Sequence, residues 1–333
     1  MIKNTFLKKS LHVLFAIAIG MGIIWLSIRK LTPEDKTEIL ASFRQANYWW
    51  IILSLIVGFI SNISRSIRWK MLLKPLGYRP HFGNVMMSVL VAYFANMGLP
   101  RLGEVVRCGL LNTHEKVPFE KSLGTVVTER ILDLIVFVSL FVINFFIQFN
   151  KIHAYIEREI FSKFDFSISV GLIIVAATLV VIAALLFAFR KRLAKHRFYQ
   201  KIKHLFEGFW LGIKSISKID KPLLFIFHSL FIWFCYWLMA YLVFQSLPVT
   251  QNLETLASLT AFTTGAIGMI IVQGGLGIYP LLIAGSLVVY GISYPLGYAM
   301  GWLMWGGQTI GIIIAGVLAL ILIPLLNKTE KHS

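Results

Sequence analysis

The chain has 333 residues, 57% of them hydrophobic and only 14% charged, with a mean hydropathy of +0.76; soluble domains carry about 25% charged residues, so the composition excludes a water-soluble protein and indicates an integral membrane one. Lys and Arg number 32 against 15 Asp and Glu, an excess that basic cytoplasmic loops account for without a nucleic-acid partner. Cys108 and Cys235 stand alone in apolar surroundings, so neither a disulfide framework nor a zinc site is indicated.

Lys3, Lys8 and Lys9 precede an apolar run from 11 to 28. The run is too long for a signal peptide and is followed by Arg29-Lys30 without a small-residue cleavage site, so it reads as a retained first helix. Pro33 to Asn47 reads as a short helix with Thr32 as N-cap and Ile39, Leu40 and Phe43 at helical spacing. It is either an amphipathic element on the outer leaflet or a linker helix packed on its own bundle. Further segments long enough to span occupy 48 to 67, 122 to 148, 168 to 189, 222 to 247 and 297 to 325, which makes six spanning helices. Tyr48, Trp49 and Trp50 read as an interfacial aromatic belt. Arg197 to Ile219, with Ile202, Leu205, Phe206, Phe209 and Ile213 on one face, reads as an interfacial or linker helix.

Two more apolar regions, 82 to 112 and 255 to 292, are interrupted, the first at Gly98-Leu99-Pro100 and the second at Gln273 to Gly277. Each half is short against the usual 17 to 25 residues of a spanning helix, roughly. The loop from Arg65 to His81 holds five basic residues and no acid, and the loop from 190 to 221 holds ten Lys or Arg against Glu207 and Asp220, so both are expected in the cytoplasm. The loops at 29 to 47 and 149 to 167 are nearly balanced in charge, as translocated loops can be. Region 82 to 112 must then enter and leave on one side, as a re-entrant hairpin or as two crossings. The same parity puts both ends of 255 to 292 outside and both termini in the cytoplasm.

The expected fold is therefore all-α and integral to the membrane, with six spanning helices and two broken re-entrant hairpins arranged as an inverted repeat. Residues 1–150 form the first repeat, 165–325 the inverted second, and 190–221 a basic cytoplasmic loop; no soluble domain is expected. Starts at 48 and 222, breaks at 98 and 273, and starts at 122 and 297 are offset by 174, 175 and 175 residues. Broken helices in corresponding halves point to a site at the membrane midplane.

Ionisable residues inside the membrane mark functional sites by default. Arg101, Glu104 and Arg107 recur every third residue on a helix opening just after Pro100, beside Asn96. A helix N-terminus with two arginines attracts an anion such as a lipid phosphate; alternatively, Glu104 neutralises both arginines near the interface. Glu129 and Asp133 share a helix face and Arg130 adjoins Asp133, a set able to pair with Arg101 or Arg107, as clamp or as working site. Gln273, Gly274, Gly275 and Gly277 form a break whose backbone can approach a ligand or a helix closely. Gln308, and Asn62 with Ser61 and Ser64, read as interhelical hydrogen-bonding groups.

Asn96, Pro100, Arg101, Gly103, Glu104 and Arg107, the Glu129-Arg130-x-x-Asp133 set, Gly274-Gly275-Leu276-Gly277 and Gln308 together resemble the lysylphosphatidylglycerol synthase transmembrane-region family, also called flippase-like membrane proteins. The resemblance covers about residues 11 to 325. It implies a multi-pass bundle that moves or presents lipids or lipid-linked molecules. Some members carry a soluble aminoacyltransferase domain, which is not expected here, with nine residues after Pro324. Where the family often has an acid after its glycine motif, this chain has Tyr279-Pro280, which suggests a distinct substrate.

The expected function is a transporter in the cell (inner) membrane that flips an anionic or polyprenyl-linked lipid, its partners being a phosphate-bearing lipid and the bilayer. No G-x-x-x-x-G-K-[ST] motif is present, so the driving energy would be a gradient or the lipid's own distribution. Neither catalytic nor metal-binding residues nor a cofactor are expected. The alternatives are a membrane-embedded lipid-phosphate enzyme and a non-catalytic partner of a lipid-modifying synthase.

Overall fold

The computed structural model describes residues 18, 20–99, 101–151, 153 and 219–328. The expected span at 168–189 and nearly all of the 197–219 helix lie outside them. Ten helices carry the description below: α1 (20–30), α2 (Pro33–Gln45), α3 (Tyr48–Leu73), α4 (Phe82–Gly98), α5 (Leu102–Glu115), α6 (Phe119–Ile147), α7 (Pro222–Phe244), α8 (Thr255–Ile271), α9 (Ile278–Val288) and α10 (Tyr294–Lys328). No strand occurs among the described residues.

Local chemistry sets the helix ends. Thr32 and Asp35 form a reciprocal capping box at the start of α2. The Asn47 side chain accepts from the Trp49 N–H to open α3, and Pro75 with left-handed Gly77 (φ 88°) closes the turn that follows. Between those signals nothing breaks the helix, so α3 runs on to Leu73. Arg65, Arg68 and Lys70, which the loop-charge reading assigned to a cytoplasmic loop, are therefore helical. The first charges do not end the helix, and two of them, Arg65 and Arg68, turn into the protein.

Among the described residues four helices, α3, α6, α7 and α10, are long and apolar enough to cross a membrane, and they coincide with four of the six expected spans. The interrupted regions form α4 and α5, of 17 and 14 residues, and α8 and α9, of 17 and 11. At about 1.5 Å per residue none of these reaches across the roughly 30 Å hydrocarbon core.

The two breaks share one backbone design. α4 ends in extended Leu99 (φ −134°, ψ 132°), whose N–H donates to the Ala95 carbonyl, and α8 ends in extended Val272 (φ −117°, ψ 133°), whose N–H donates to that of Gly268. A left-handed residue follows in each, Arg101 (φ 61°) and Gly274 (φ 66°). In the first hairpin the Gly103 N–H donates to Asn96 Oδ1 at 2.7 Å, and α5 lies so close to α4 that a Cβ at Gly103 would fall 2.1 Å from the Ala92 carbonyl oxygen. In the second, a Cβ at Gly277 would fall 2.7 Å from the Gly20 carbonyl of α1, and Trp305 Nε1 donates to the Gly274 carbonyl at 2.6 Å. The turn at Gln273–Gly275 packs against α4, so the second hairpin's break lies against the first hairpin.

Helix starts recur along the chain: α3, α4, α5 and α6 begin at 48, 82, 102 and 119, and α7, α8, α9 and α10 at 222, 255, 278 and 294. Packing follows the same correspondence, with α3 against α7, α4 against α10 and α8 against α6. α2 packs on α10 through buried Ile39 and half-buried Phe43 while Leu40 is exposed.

Gly103→Ala is expected to lower the melting temperature in detergent, by an overpacking penalty of about 1–3 kcal/mol. Gly98→Ala, whose added Cβ meets nothing within 4 Å, is expected to be close to neutral in the same measurement.

Candidate substrate-binding site

On α3, Ser54, Ser61, Arg65, Arg68 and Leu72 recur at helical spacing and are all buried, so the stripe that faces the bundle carries the two arginines inward. On α6 the matching stripe is Ser122, Val126, Glu129 and Asp133. α5 adds Arg107, packed over the Trp69 ring with its guanidinium 4.6 Å from the ring centroid. These three stripes converge on one cluster of charges.

Glu129, fully buried, accepts from three arginines: Arg65 at 2.6 Å, Arg68 at 2.9 Å and Arg107 at 2.9 Å. Asp133 pairs with Arg65 and Arg68, each at 2.8 Å. Arg68 also donates to Ser229 Oγ and Arg65 to the Tyr236 hydroxyl, both at 3.2 Å. Three cations thus face two anions, and the sealed cluster carries one excess positive charge. The Nε–H groups of all three arginines have no hydrogen-bond acceptor. A buried charge left unmatched is costly, so this cluster favours an additional anion.

Arg130 makes its ion pair with Glu104, at 2.9 Å, its side chain 44% exposed. That bridge ties α5 to α6, and Glu104 is thereby paired with Arg130 in place of the alternative reading in which it neutralises Arg101 and Arg107. Arg107 does meet Glu129 across the bundle, as the acid-rich set on α6 implies. Arg101 is exposed at the left-handed start of α5 and stands outside the cluster. Asn96 pins the first hairpin, and the Gly274, Gly275 and Gly277 backbones serve close helix packing around the second. Pro100 and the Gln273 side chain lie outside the described residues. Of the polar trio on α3, Ser64 bonds His228 Nδ1 on α7 at 2.8 Å, while Ser61 Oγ has no partner.

A cavity of about 370 Å³ opens beside the cluster, bordered by Arg65, Arg130, Asp133, Tyr236, Trp233 and Gln308. Its remaining walls are largely aromatic and aliphatic. Trp233 Nε1, buried at its edge, has no acceptor. Volume and lining suit a small polar headgroup among apolar walls, and the donors outnumber the acceptors. Among the described residues no group of His, Cys, Asp and Glu could hold a metal ion. At the far end of α6, Asn144 and Gln148 donate to Thr260, and Asn144 also to Thr263, on α8.

Arg65, Arg68, Tyr93, Trp233 and Tyr236 were not singled out from the sequence. The helical phase of Arg65 and Arg68 with Ser54 and Ser61 was the available signal for the arginines.

Long apolar helices, broken hairpins and a sealed charge cluster on spanning helices define a multi-pass integral membrane protein. The chain belongs to the family described as the lysylphosphatidylglycerol synthase TM region, whose model matches residues 13–316. It is 34% identical over 115 residues to UPF0104 membrane protein MJ1595 of Methanocaldococcus jannaschii, a match covering 33% of this chain and 34% of that protein. It is 28% identical over 210 residues to UPF0104 membrane protein MJ1078 of the same organism, covering 62% of this chain and 84% of the relative. A third similarity, 23% identity over 107 residues, is to glycosyltransferase AglD of Haloferax volcanii and covers 32% of this chain and 17% of that protein. No solved structure matches the chain.

Glu129→Gln removes the anion that three buried arginines share. It is expected to destabilise the folded protein by about 3–5 kcal/mol, the range for breaking a buried ion pair, read as a lowered melting temperature in detergent. Glu104→Gln, at the half-exposed bridge, is expected to cost no more than about 1 kcal/mol in that assay.

Proposed function

We propose that the protein carries an anionic, phosphate-bearing lipid between the leaflets of the cell membrane. The observation that carries this reading is the buried cluster with one more cation than anion, adjoining a headgroup-sized cavity bordered by the unmatched donors of Arg65 and Trp233. A phosphate monoanion or diester supplies the missing negative charge and the acceptors, and Arg130 at the cavity edge is the group positioned to meet it first. Arg101, exposed at the start of α5, would attract the headgroup toward the first hairpin.

The repeat is read as inverted, with re-entrant hairpins entering from opposite sides. The matching helix starts, the shared break geometry and the contact of α4 with the second break all support it. The Lys74 and Arg79 side is then cytoplasmic, with both termini on it. An embedded phosphatase is less well supported, because Ser54, the only serine among the described residues bordering the cavity, already donates its hydroxyl to the Ile51 carbonyl at 2.8 Å.

Purified protein in liposomes containing a labelled lipid tests the reading by following leaflet exchange across phosphatidate, phosphatidylglycerol and polyprenyl phosphates, with and without sugar headgroups. Exchange of at least one phosphate lipid is expected, reduced about tenfold or more in Arg130→Ala but not in Glu104→Gln, which breaks the same bridge and controls for its stability cost, since loss of one charge-assisted contact is worth about 1.5–3 kcal/mol. Folded protein that exchanges none of them refutes the proposal.

A further inference from the structure

A second cavity, of about 410 Å³, adjoins the charged one. Leu55, Phe59, Met87, Leu90, Ile314 and Leu318 of α3, α4 and α10 form its walls. Phe59, Ile314 and Leu318 are also exposed on the outside of the bundle. The cavity is therefore a groove open sideways between two spanning helices, on a surface that faces hydrocarbon in a membrane. Tyr93, Tyr236, Met239 and Gln308 border both cavities. The Tyr93 and Tyr236 hydroxyls lie 3.0 Å apart, and Arg65 holds the second of them. A hydrogen-bonded pair of phenols thus borders both a space with cationic donors and one that is mainly apolar, with Asn62 and Gln308 as its amides.

Neither space alone suits a membrane amphiphile. The charged cavity has the donors a phosphate needs but only headgroup volume, whereas the groove has no charged side chain and communicates with the lipid-facing surface. Their common wall places the two chemistries side by side, in the order in which a lipid molecule carries them. The wall can also yield: each phenol turns about its own side-chain torsions, and one O–H···O contact closes the gap between them.

We infer that the groove between α3 and α10 holds the aliphatic chain of the same anionic lipid whose headgroup enters the charged cavity, and that the Tyr93–Tyr236 pair is the gate between them. This rests on the lipid-carrying reading above. The headgroup reaches Arg65 and Arg130 when the phenols part, while the chain never leaves an apolar surface.

The test uses the full chain in phosphatidylcholine vesicles with two photoactivatable probes, a phosphatidate and a diacylglycerol carrying the same diazirine at the chain end. After illumination the labelled peptides are mapped. The phosphatidate probe is expected to label α3 near Phe59 and α10 near Ile314 and Leu318, with labelling suppressed by excess unmodified phosphatidate; the neutral probe is expected to show no such suppression. Tyr93→Phe, which leaves the Arg65 contact to Tyr236 in place, is expected to speed leaflet exchange by about two- to tenfold, the range of one lost hydrogen bond. Suppressible label confined to Leu134 and Ile270, at the other mouth of the charged cavity, overturns the groove while leaving lipid carriage intact. Unchanged or slower exchange in Tyr93→Phe overturns the gate. Equal labelling by both probes, unaffected by phosphatidate, overturns headgroup recognition itself and the groove assignment with it.

Discussion

Everything in the bundle is arranged around Glu129 and the three arginines it accepts from. A carboxylate without solvent exposure is tolerable only when its charge is matched at hydrogen-bonding distance, and here two other helices, α3 and α5, supply the cations. Arg65 and Arg68 fix the rotation of α3 against α6, and Arg107 fixes α5 against both. Because α5 is the returning half of the first hairpin, the ion cluster also determines how deeply that hairpin sits. Apolar packing cannot set such a register among helices surrounded by lipid, since burial against another helix and burial in hydrocarbon are nearly equivalent.

The second half of the molecule is held by different chemistry. No buried ion pair among the described residues joins α8, α9 and α10; their close approaches depend on glycine. Gly268, Gly277, Gly297 and Gly301 each leave room for a neighbouring backbone that a Cβ would obstruct, and the amides of Asn144 and Gln148 clip α6 to α8. α6 therefore joins a rigid ionic half to a close-packed neutral half. The charged cavity lies where the two meet, which places one wall on elements fixed by charge and the opposite wall on elements held by packing and neutral hydrogen bonds.

Much of this was legible in the sequence because it rests on length and on breakers. The spans at α3, α6, α7 and α10 follow from apolar runs, the hairpins from Leu99-Pro100 and Gln273 to Gly277, and the role of Glu129 from an acid placed where only a partner makes it tolerable. What was not legible depends on phase and on distance. Arg65 and Arg68 sit at the end of an apolar run, where a basic residue is ordinarily solvated, and only their register with Ser54 and Ser61 distinguishes an inward face from an outward one. Arg130 and Glu104 meet across two helices, so the local spacing of Arg130 with Asp133 pointed to the wrong partner. Tyr93 and Tyr236, far apart in sequence and ordinary in composition, acquire meaning only from the cavities on either side.

The order of the ion cluster along the chain bears on how the protein is made. Arg65 and Arg68 emerge from the ribosome 61 to 68 residues before Glu129 and Asp133, the acids that neutralise them. An arginine inserted in a lone helix costs up to about 2.5–3.5 kcal/mol at its centre and less toward its end, where Arg65 and Arg68 lie. Until α6 arrives, the cheapest place for the arginine end of α3 is the headgroup layer, its side chains reaching for lipid phosphate. Completion of the bundle then draws two cations inward from lipid to protein carboxylate, so that biogenesis begins with a substitution of one anion for another at the same arginines.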